Sequence, residues 1–207
     1  MAEARPIQNT PRHFSMIRSF HLADVFTIAN GGCGISAIFE AMQFIATRDT
    51  RHIYIAAALI PLALIFDVLD GRIARWRHTA SALGRELDSL ADVISFGVAP
   101  ATIAYAVGLN NWLEQLILVY FAVCGLSRLA RYNITAEHQS ASTGKVEYFE
   151  GTPIPTSVVP LGILMLLFHY GWLQRTTLWG IEFHPAALLF FISGSLMISK
   201  TLRIPKP

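Results

Sequence analysis

Four aspartates stand out by where they sit. Asp67 and Asp70 close the apolar run Ile53–Asp70, and Asp88 and Asp92 open the next one, Leu87–Leu109. Spacings of three and four residues put each pair on one face of a helix. Ionisable groups inside apolar spanning helices are costly, and their default role is functional. Four like charges converging in a medium of low dielectric repel strongly. Divalent cations remove that repulsion, and ligation by oxygen alone suits Mg²⁺ or Mn²⁺ rather than zinc. Pairing with Arg72, Arg75 and Arg85 is the competing explanation; it serves for one pair far better than for all four. Between the pairs, Gly71 lets backbone approach a bulky group, Ala74 leaves space on the same face, and Arg75 offers a planar fork for phosphate oxygens. With Gly84 further on, metal ions, an arginine and small residues at a helix end describe a diphosphate site.

The elements that position these residues can be read from composition. The chain has 207 residues, of which 53% are hydrophobic and 14% charged, and its mean hydropathy is +0.46. Soluble domains carry about 25% charged residues, so this is a membrane protein. A net charge of +2 excludes a nucleic-acid-binding domain and any nucleic-acid partner. Cys33 and Cys124 lie in apolar runs and read as small buried hydrophobes rather than a disulfide or metal pair. Six stretches approach the length a spanning helix needs: Val25–Ala46, Ile53–Asp70, Leu87–Leu109, Leu113–Ala130, Thr156–Leu173 and Pro185–Ser199. The fold class predicted is an all-α integral membrane protein of six transmembrane helices, one domain over 25–207. Residues 1–24 lack the apolar core of a signal peptide and are predicted to lie on the membrane surface as an amphipathic helix. Six crossings place both termini on one side. That side collects Arg5, Arg12, Arg18, Arg72, Arg75, Arg77, Arg85, Arg128, Arg131, Lys145, Lys200, Arg203 and Lys206, leaving Arg48, Arg51 and Arg175 opposite. The positive-inside rule makes the richer side, with the aspartates, cytosolic.

The run Asp67-Val-Leu-Asp70-Gly71-Arg-Ile-Ala74-Arg75, eight residues, Gly84-Arg-Glu-Leu-Asp88-Ser-Leu-Ala-Asp92 resembles the complete signature of the CDP-alcohol phosphotransferase family. The stretches Glu86–Ala101, Gly125–Asn133 and Phe149–Thr156 resemble the branch that uses serine as acceptor, and the likeness runs from about His21 to Pro207. The resemblance implies transfer of the phosphatidyl group from CDP-diacylglycerol to L-serine. Within it, Asp67, Asp70, Asp88 and Asp92 hold two divalent ions and Asp92 is also the general base. Asn30, Gly71, Ala74, Arg75, Ser81 and Gly84 contact the nucleotide, although Cys33 stands where many relatives have threonine. Arg128, Arg131 and Asn133 are the candidates for the serine site, Arg131 slightly ahead of Arg128, with Glu150 facing the ammonium. The family also implies a homodimer in the bilayer. The Phe149–Thr156 loop and the terminal segment resemble fungal enzymes, which implies the endoplasmic reticulum membrane; a bacterial source implies the plasma membrane. Two other readings stand beside this one: the same chemistry with glycerol-3-phosphate, inositol or inositol phosphate as acceptor, and a divalent-cation transporter. The transporter leaves Gly71, Ala74, Arg75 and Gly84 unexplained.

Overall fold

A computed structural model describes residues 22–77, 82–141, 148–178, 180–199 and 203–205. The predicted surface helix lies outside these residues, apart from the first residues of the first long helix. That helix, α1 (Leu22–Thr47), is succeeded by α2 (Thr50–Arg77) and α3 (Ala82–Asp92). A π-helical turn, Val93–Val98, joins α3 to α4 (Ala99–Ala106). Then come α5 (Trp112–Ala141), α6 (Val158–His169) and α7 (Ala187–Ile198). Four apolar rods, Ala23–Thr47, Thr50–Trp76, Leu83–Ala106 and Trp112–Ile134, are long and apolar enough to cross a bilayer. At 1.5 Å per residue each exceeds the roughly 30 Å of hydrocarbon, and they mark the chain as an integral membrane protein.

The fifth and sixth predicted spans form shorter apolar helices, Ile154–His169 and Ala187–Ile198. The first is stopped by Gly171, held at φ +67°. Its N–H donates to the Phe168 carbonyl at 3.1 Å, and Trp172 donates to Leu167 at 2.8 Å. This is a Schellman ending, which favours glycine at the left-handed position. The all-α expectation also missed two antiparallel ribbons: β1 (Tyr148–Glu150) pairs with β4 (Arg203–Pro205), and β2 (Thr176–Leu178) pairs with β3 (Ile181–Phe183). Each is three residues long, too short to register as a period-2 pattern in the sequence, yet pairing satisfies backbone groups between helices.

Small residues set the packing. Ala37, Ala41, Ala56 and Ala63 are fully buried with Ile53 and Ile60, so α1 and α2 approach closely along their length, as helices in lipid do when their contact faces are small. The turn between them needs two residues, Arg48 and Asp49, with Arg48 left-handed at φ 60°. Asp49 caps α2 by accepting the Arg51 N–H at 2.9 Å. On its other side α1 meets the third rod at Gly34. A Cβ there would fall 2.8 Å from the Ser95 Cα, so only glycine admits this crossing.

The π turn has a local cause. Pro100 has no N–H to offer the Phe96 carbonyl and its ring crowds that oxygen. The widened turn just before it absorbs the conflict: the Ala99 N–H bonds the Ile94 carbonyl, five residues back. One extra residue rotates the downstream helix by about 100°, so the aspartate-bearing face of α3 is not the face that α4 continues.

At the end remote from the aspartates, polar side chains tie the loops down. Glu114 is 1% exposed. It accepts the backbone N–H groups of Asn111 at 2.8 Å and His184 at 2.6 Å, and the His184 Nδ1 lies 2.7 Å away. Glu40, alone inside α1's apolar run, pairs with His52 of α2 at 2.7 Å. Both cysteines are unpaired, and Cys124 is buried. Replacing Glu114 with Ala strands buried donors from two loops, at a cost of about 2 kcal/mol. Differential scanning fluorimetry of the detergent-purified protein is expected to show a melting point lower by about 4–8 °C. Glu114→Gln, which keeps one acceptor, is expected to lose less than half of that.

Candidate active site

The acidic site is assembled by three helices and faced by a fourth. The last three turns of α2 carry Asp67, Asp70, Gly71, Ala74 and Arg75, while α3 carries Gly84, Asp88 and Asp92. One carboxylate oxygen from each of Asp67, Asp70 and Asp88 lies within 4.8 Å of the others. Thus the i,i+3 spacing on α2 and the first residue of the i,i+4 pair on α3 converge as their spacing predicts. Asp92 sits one turn beyond Asp88 on the same face and is 6% exposed; Asp70 is 5% exposed. The charges of Asp67, Asp88 and Asp70 all reach Asp92. Two bare charges at 4.8 Å, the outer limit of these separations, repel by about 3.5 kcal/mol at an effective dielectric of about 20, so the group is stable only with compensation.

Part of that compensation comes from α1. Its buried Thr27 donates its hydroxyl to Asp70 Oδ2 at 2.8 Å, and its fully buried Asn30 donates Nδ2–H to Asp92 Oδ1 at 3.0 Å. Ser95, in the π turn, donates to the Asn30 carbonyl at 2.8 Å. Asn30, which the resemblance sets against the nucleotide, thus holds an aspartate with its amide. Thr27 and Ser95 were not anticipated, because their partners lie 43 and 65 residues away and no local pattern marks them. Asp24, another buried acid of α1, also sends its charge to Asp70.

Three atoms point to what the site is built to receive. Asp88 Oδ1, Asn30 Oδ1 and Arg128 Nε are buried and lack hydrogen-bond partners among the described residues. Buried polar atoms are normally satisfied, and an orphaned carboxylate oxygen within an all-oxygen cluster fits a hard divalent cation. Arg75 is exposed, and its guanidinium lies over Gly71, where a Cβ would meet Nη1 at 3.6 Å. It therefore stands beside Asp70 with its fork available.

From α5, Arg128 is half-buried and close enough to Asp92 to feel its charge. Arg131 comes one turn on, also half-buried. Asn133 is already engaged: its amide donates to Ser89 Oγ at 3.0 Å and to Glu86 Oε1 at 3.3 Å, and Ser89 donates back to Asn133 Oδ1 at 3.2 Å. It works as a strut between α5 and α3. Ser81 and Lys145 lie outside the described residues, as do the contacts of Glu150.

Comparison with known proteins agrees with this geometry. Residues 20–193 match the CDP-alcohol phosphatidyltransferase family. The chain is 44% identical over 206 residues to the CDP-diacylglycerol–serine O-phosphatidyltransferase of Saccharomyces cerevisiae, covering 94% of this chain and 74% of that protein. Proteins of the same name from Helicobacter pylori and Mycobacterium bovis are 41% identical over 173 residues and 34% identical over 175. Those alignments cover 82% and 84% of this chain, and 68% and 60% of the relatives' lengths. The signature aspartates, the cluster they form and these likenesses agree: the chain belongs to the CDP-alcohol phosphatidyltransferase family.

Proposed function

We propose that the chain transfers the phosphatidyl group from CDP-diacylglycerol to the hydroxyl of L-serine, giving phosphatidylserine and CMP. The observation that carries this reading is the convergence of Asp67, Asp70 and Asp88 within 4.8 Å, in a chain whose relatives include serine-using transferases from yeast and bacteria. Asp67, Asp70, Asp88 and Asp92 hold Mg²⁺ or Mn²⁺, two ions per site. Bound there, such ions supply positive charge that screens the diphosphate and eases departure of CMP.

The remaining chemistry belongs to side chains. Asp92 takes the proton from the serine hydroxyl, general-base work that requires a carboxylate within hydrogen-bond reach. The freed oxygen attacks the phosphorus that bears the diacylglycerol, and the bond from that phosphorus to the bridging oxygen breaks, releasing CMP. Arg75 grips the diphosphate, while Gly71, Ala74 and Gly84 leave room for the cytidine and Ser81 offers it a hydroxyl. Arg128 is the better placed of the two arginines for the serine carboxylate, because its Nε is buried without a partner among the described residues and its charge reaches Asp92. Arg131, on the next turn, secures the surrounding loop or a lipid phosphate. The reading includes six crossings, in which α6 and α7 complete their passage with flanking residues. It also includes a homodimer, with the site facing the cytosol from the endoplasmic reticulum or a bacterial plasma membrane.

Release of CMP by purified protein, given CDP-diacylglycerol and each candidate acceptor in turn, tests the reaction directly. Serine is expected to support turnover; turnover with glycerol-3-phosphate, inositol or inositol phosphate in its place would reassign the acceptor. EDTA is expected to stop CMP release, and Mn²⁺ or Mg²⁺ to restore it; full turnover in chelator removes the metal-assisted route.

Asp92→Asn keeps shape and removes the proton acceptor, so turnover is expected to vanish while CDP-diacylglycerol still binds. A variant retaining a tenth of wild-type kcat, a loss of about 1.4 kcal/mol, is incompatible with Asp92 as base. Asp67→Asn is expected to weaken both metal and nucleotide binding.

A guanidinium fork binds a carboxylate in a way that lysine does not reproduce. Arg128→Lys is therefore expected to raise the KM for serine at least tenfold with little change in that for CDP-diacylglycerol. Unchanged serine KM in both Arg128→Lys and Arg131→Lys places the carboxylate elsewhere.

A further inference from the structure

We infer that α1 is the positioning helix of the catalytic centre: Thr27 sets the carboxylate of Asp70, and Asn30, locked by Ser95, sets that of Asp92. The inference rests on the proposed metal-assisted transfer and assigns roles to residues outside the acidic signature. Thr27 and Asn30 are three residues apart on one face of α1, 3% and 0% exposed. Each donates to a different aspartate, on a different helix: Thr27 to α2 at 2.8 Å and Asn30 to the end of α3 at 3.0 Å.

An aspartate carboxylate turns easily about its last torsion, whose wells are broad. A donor fixed on one oxygen chooses the plane of the group and so the direction in which the other oxygen can serve a ligand. Partners of this kind behind metal-binding carboxylates typically change affinity or activity by about 10- to 100-fold. Thr27 has one hydroxyl proton and two acceptors in range, Asp70 Oδ2 at 2.8 Å and the Ala23 carbonyl at 3.2 Å. The shorter bond to the charged group is the stronger.

The donors are themselves held. Ser95 Oγ donates to the Asn30 carbonyl at 2.8 Å, and it comes from the π turn that begins one residue after Asp92. Gly34, one turn beyond Asn30, admits the Ser95 backbone to a distance that any Cβ would forbid, and Gly31 lies against the Ala91 Cβ, 3.4 Å from where its own would be. A closed loop results: Asp92 is bonded to Asn30, Asn30 to Ser95, and Ser95 comes just after Asp92 on the same rod. The axial register of α1 against the third rod thereby fixes Asp92. The Thr27–Asp70 bond, one turn earlier, fixes the register of α1 against α2 at the same level.

The test separates positioning from folding by measuring metal binding without turnover. Mn²⁺ binding to the detergent-purified protein, in the absence of lipid substrate, is read from the electron paramagnetic resonance signal of free Mn²⁺. Thr27→Val preserves shape and removes the donor; it is expected to weaken Mn²⁺ binding at least tenfold, with the melting point of the metal-free protein within about 3 °C of wild type. Thr27→Ser returns the hydroxyl and is expected to recover binding to within threefold. Asn30→Leu, similar in shape, is expected to lower kcat for CMP release at least tenfold while the KM for CDP-diacylglycerol moves less than threefold. Should Asn30→Leu fail to fold, Ser95→Ala leaves Asn30 in place and releases its carbonyl; a threefold or larger fall in kcat is then expected. Wild-type Mn²⁺ affinity in Thr27→Val, no recovery in Thr27→Ser, or an Asn30→Leu effect confined to KM overturns the inference. Those outcomes differ from failure of the proposed reaction, which shows as wild-type protein that releases no CMP with serine and metal.

Discussion

Mutual repulsion among carboxylates in an apolar bundle is the constraint around which this molecule is arranged. Asp67, Asp70 and Asp88 bring oxygens within 4.8 Å of one another, and Asp92 stands within reach of their charges. Nothing about helix packing in lipid requires such a group, and the low dielectric makes it expensive. The surrounding structure offsets that repulsion. Donors on α1 engage two of the four, and Arg75 lies over Gly71 next to Asp70. Small residues let three helices come close enough for this to happen, with Gly34 the tightest point.

The two ends of the bundle solve different problems. At the acidic end, three polar atoms find no partner among the described residues: Asp88 Oδ1, Asn30 Oδ1 and Arg128 Nε. At the other end, Glu114 is saturated by two backbone donors and His184, and Glu40 is matched by His52. Both ends bury acids, but only one leaves coordination capacity open. This contrast separates a reactive centre from a structural clasp more sharply than burial alone.

Much of the site was legible from sequence because its key spacings are local. Two aspartates three apart and two four apart declare a shared face in any helix, and the intervening Gly71, Ala74 and Arg75 state the chemistry. What escaped was non-local. Thr27 and Ser95 are ordinary residues in apolar helices until partners 43 and 65 positions away arrive. Glu40 likewise pairs with a residue that no local pattern marks, since His52 meets it only after the chain turns at Arg48. Asn133, a candidate for the serine site, also bonds Ser89 and Glu86 of α3, 44 and 47 positions away. The apolar run Thr156–Leu173 outlasts α6, because hydropathy runs through the glycine that ends the helix.

The π turn between Asp92 and Pro100 makes this stretch sensitive to residue number in a way that composition does not reveal. Removing a single residue from Val93–Val98 would wind the turn back to ordinary α-helix and swing α4 by about 100° relative to α3. A residue lost ahead of Ser95 would carry Ser95 off the Asn30 carbonyl and turn Phe96, now fully buried, away from the core. Side chains in the turn other than Ser95 are exchangeable one at a time for others of like size. Its length is not, and during divergence this segment is expected to accumulate substitutions while rejecting insertions and deletions.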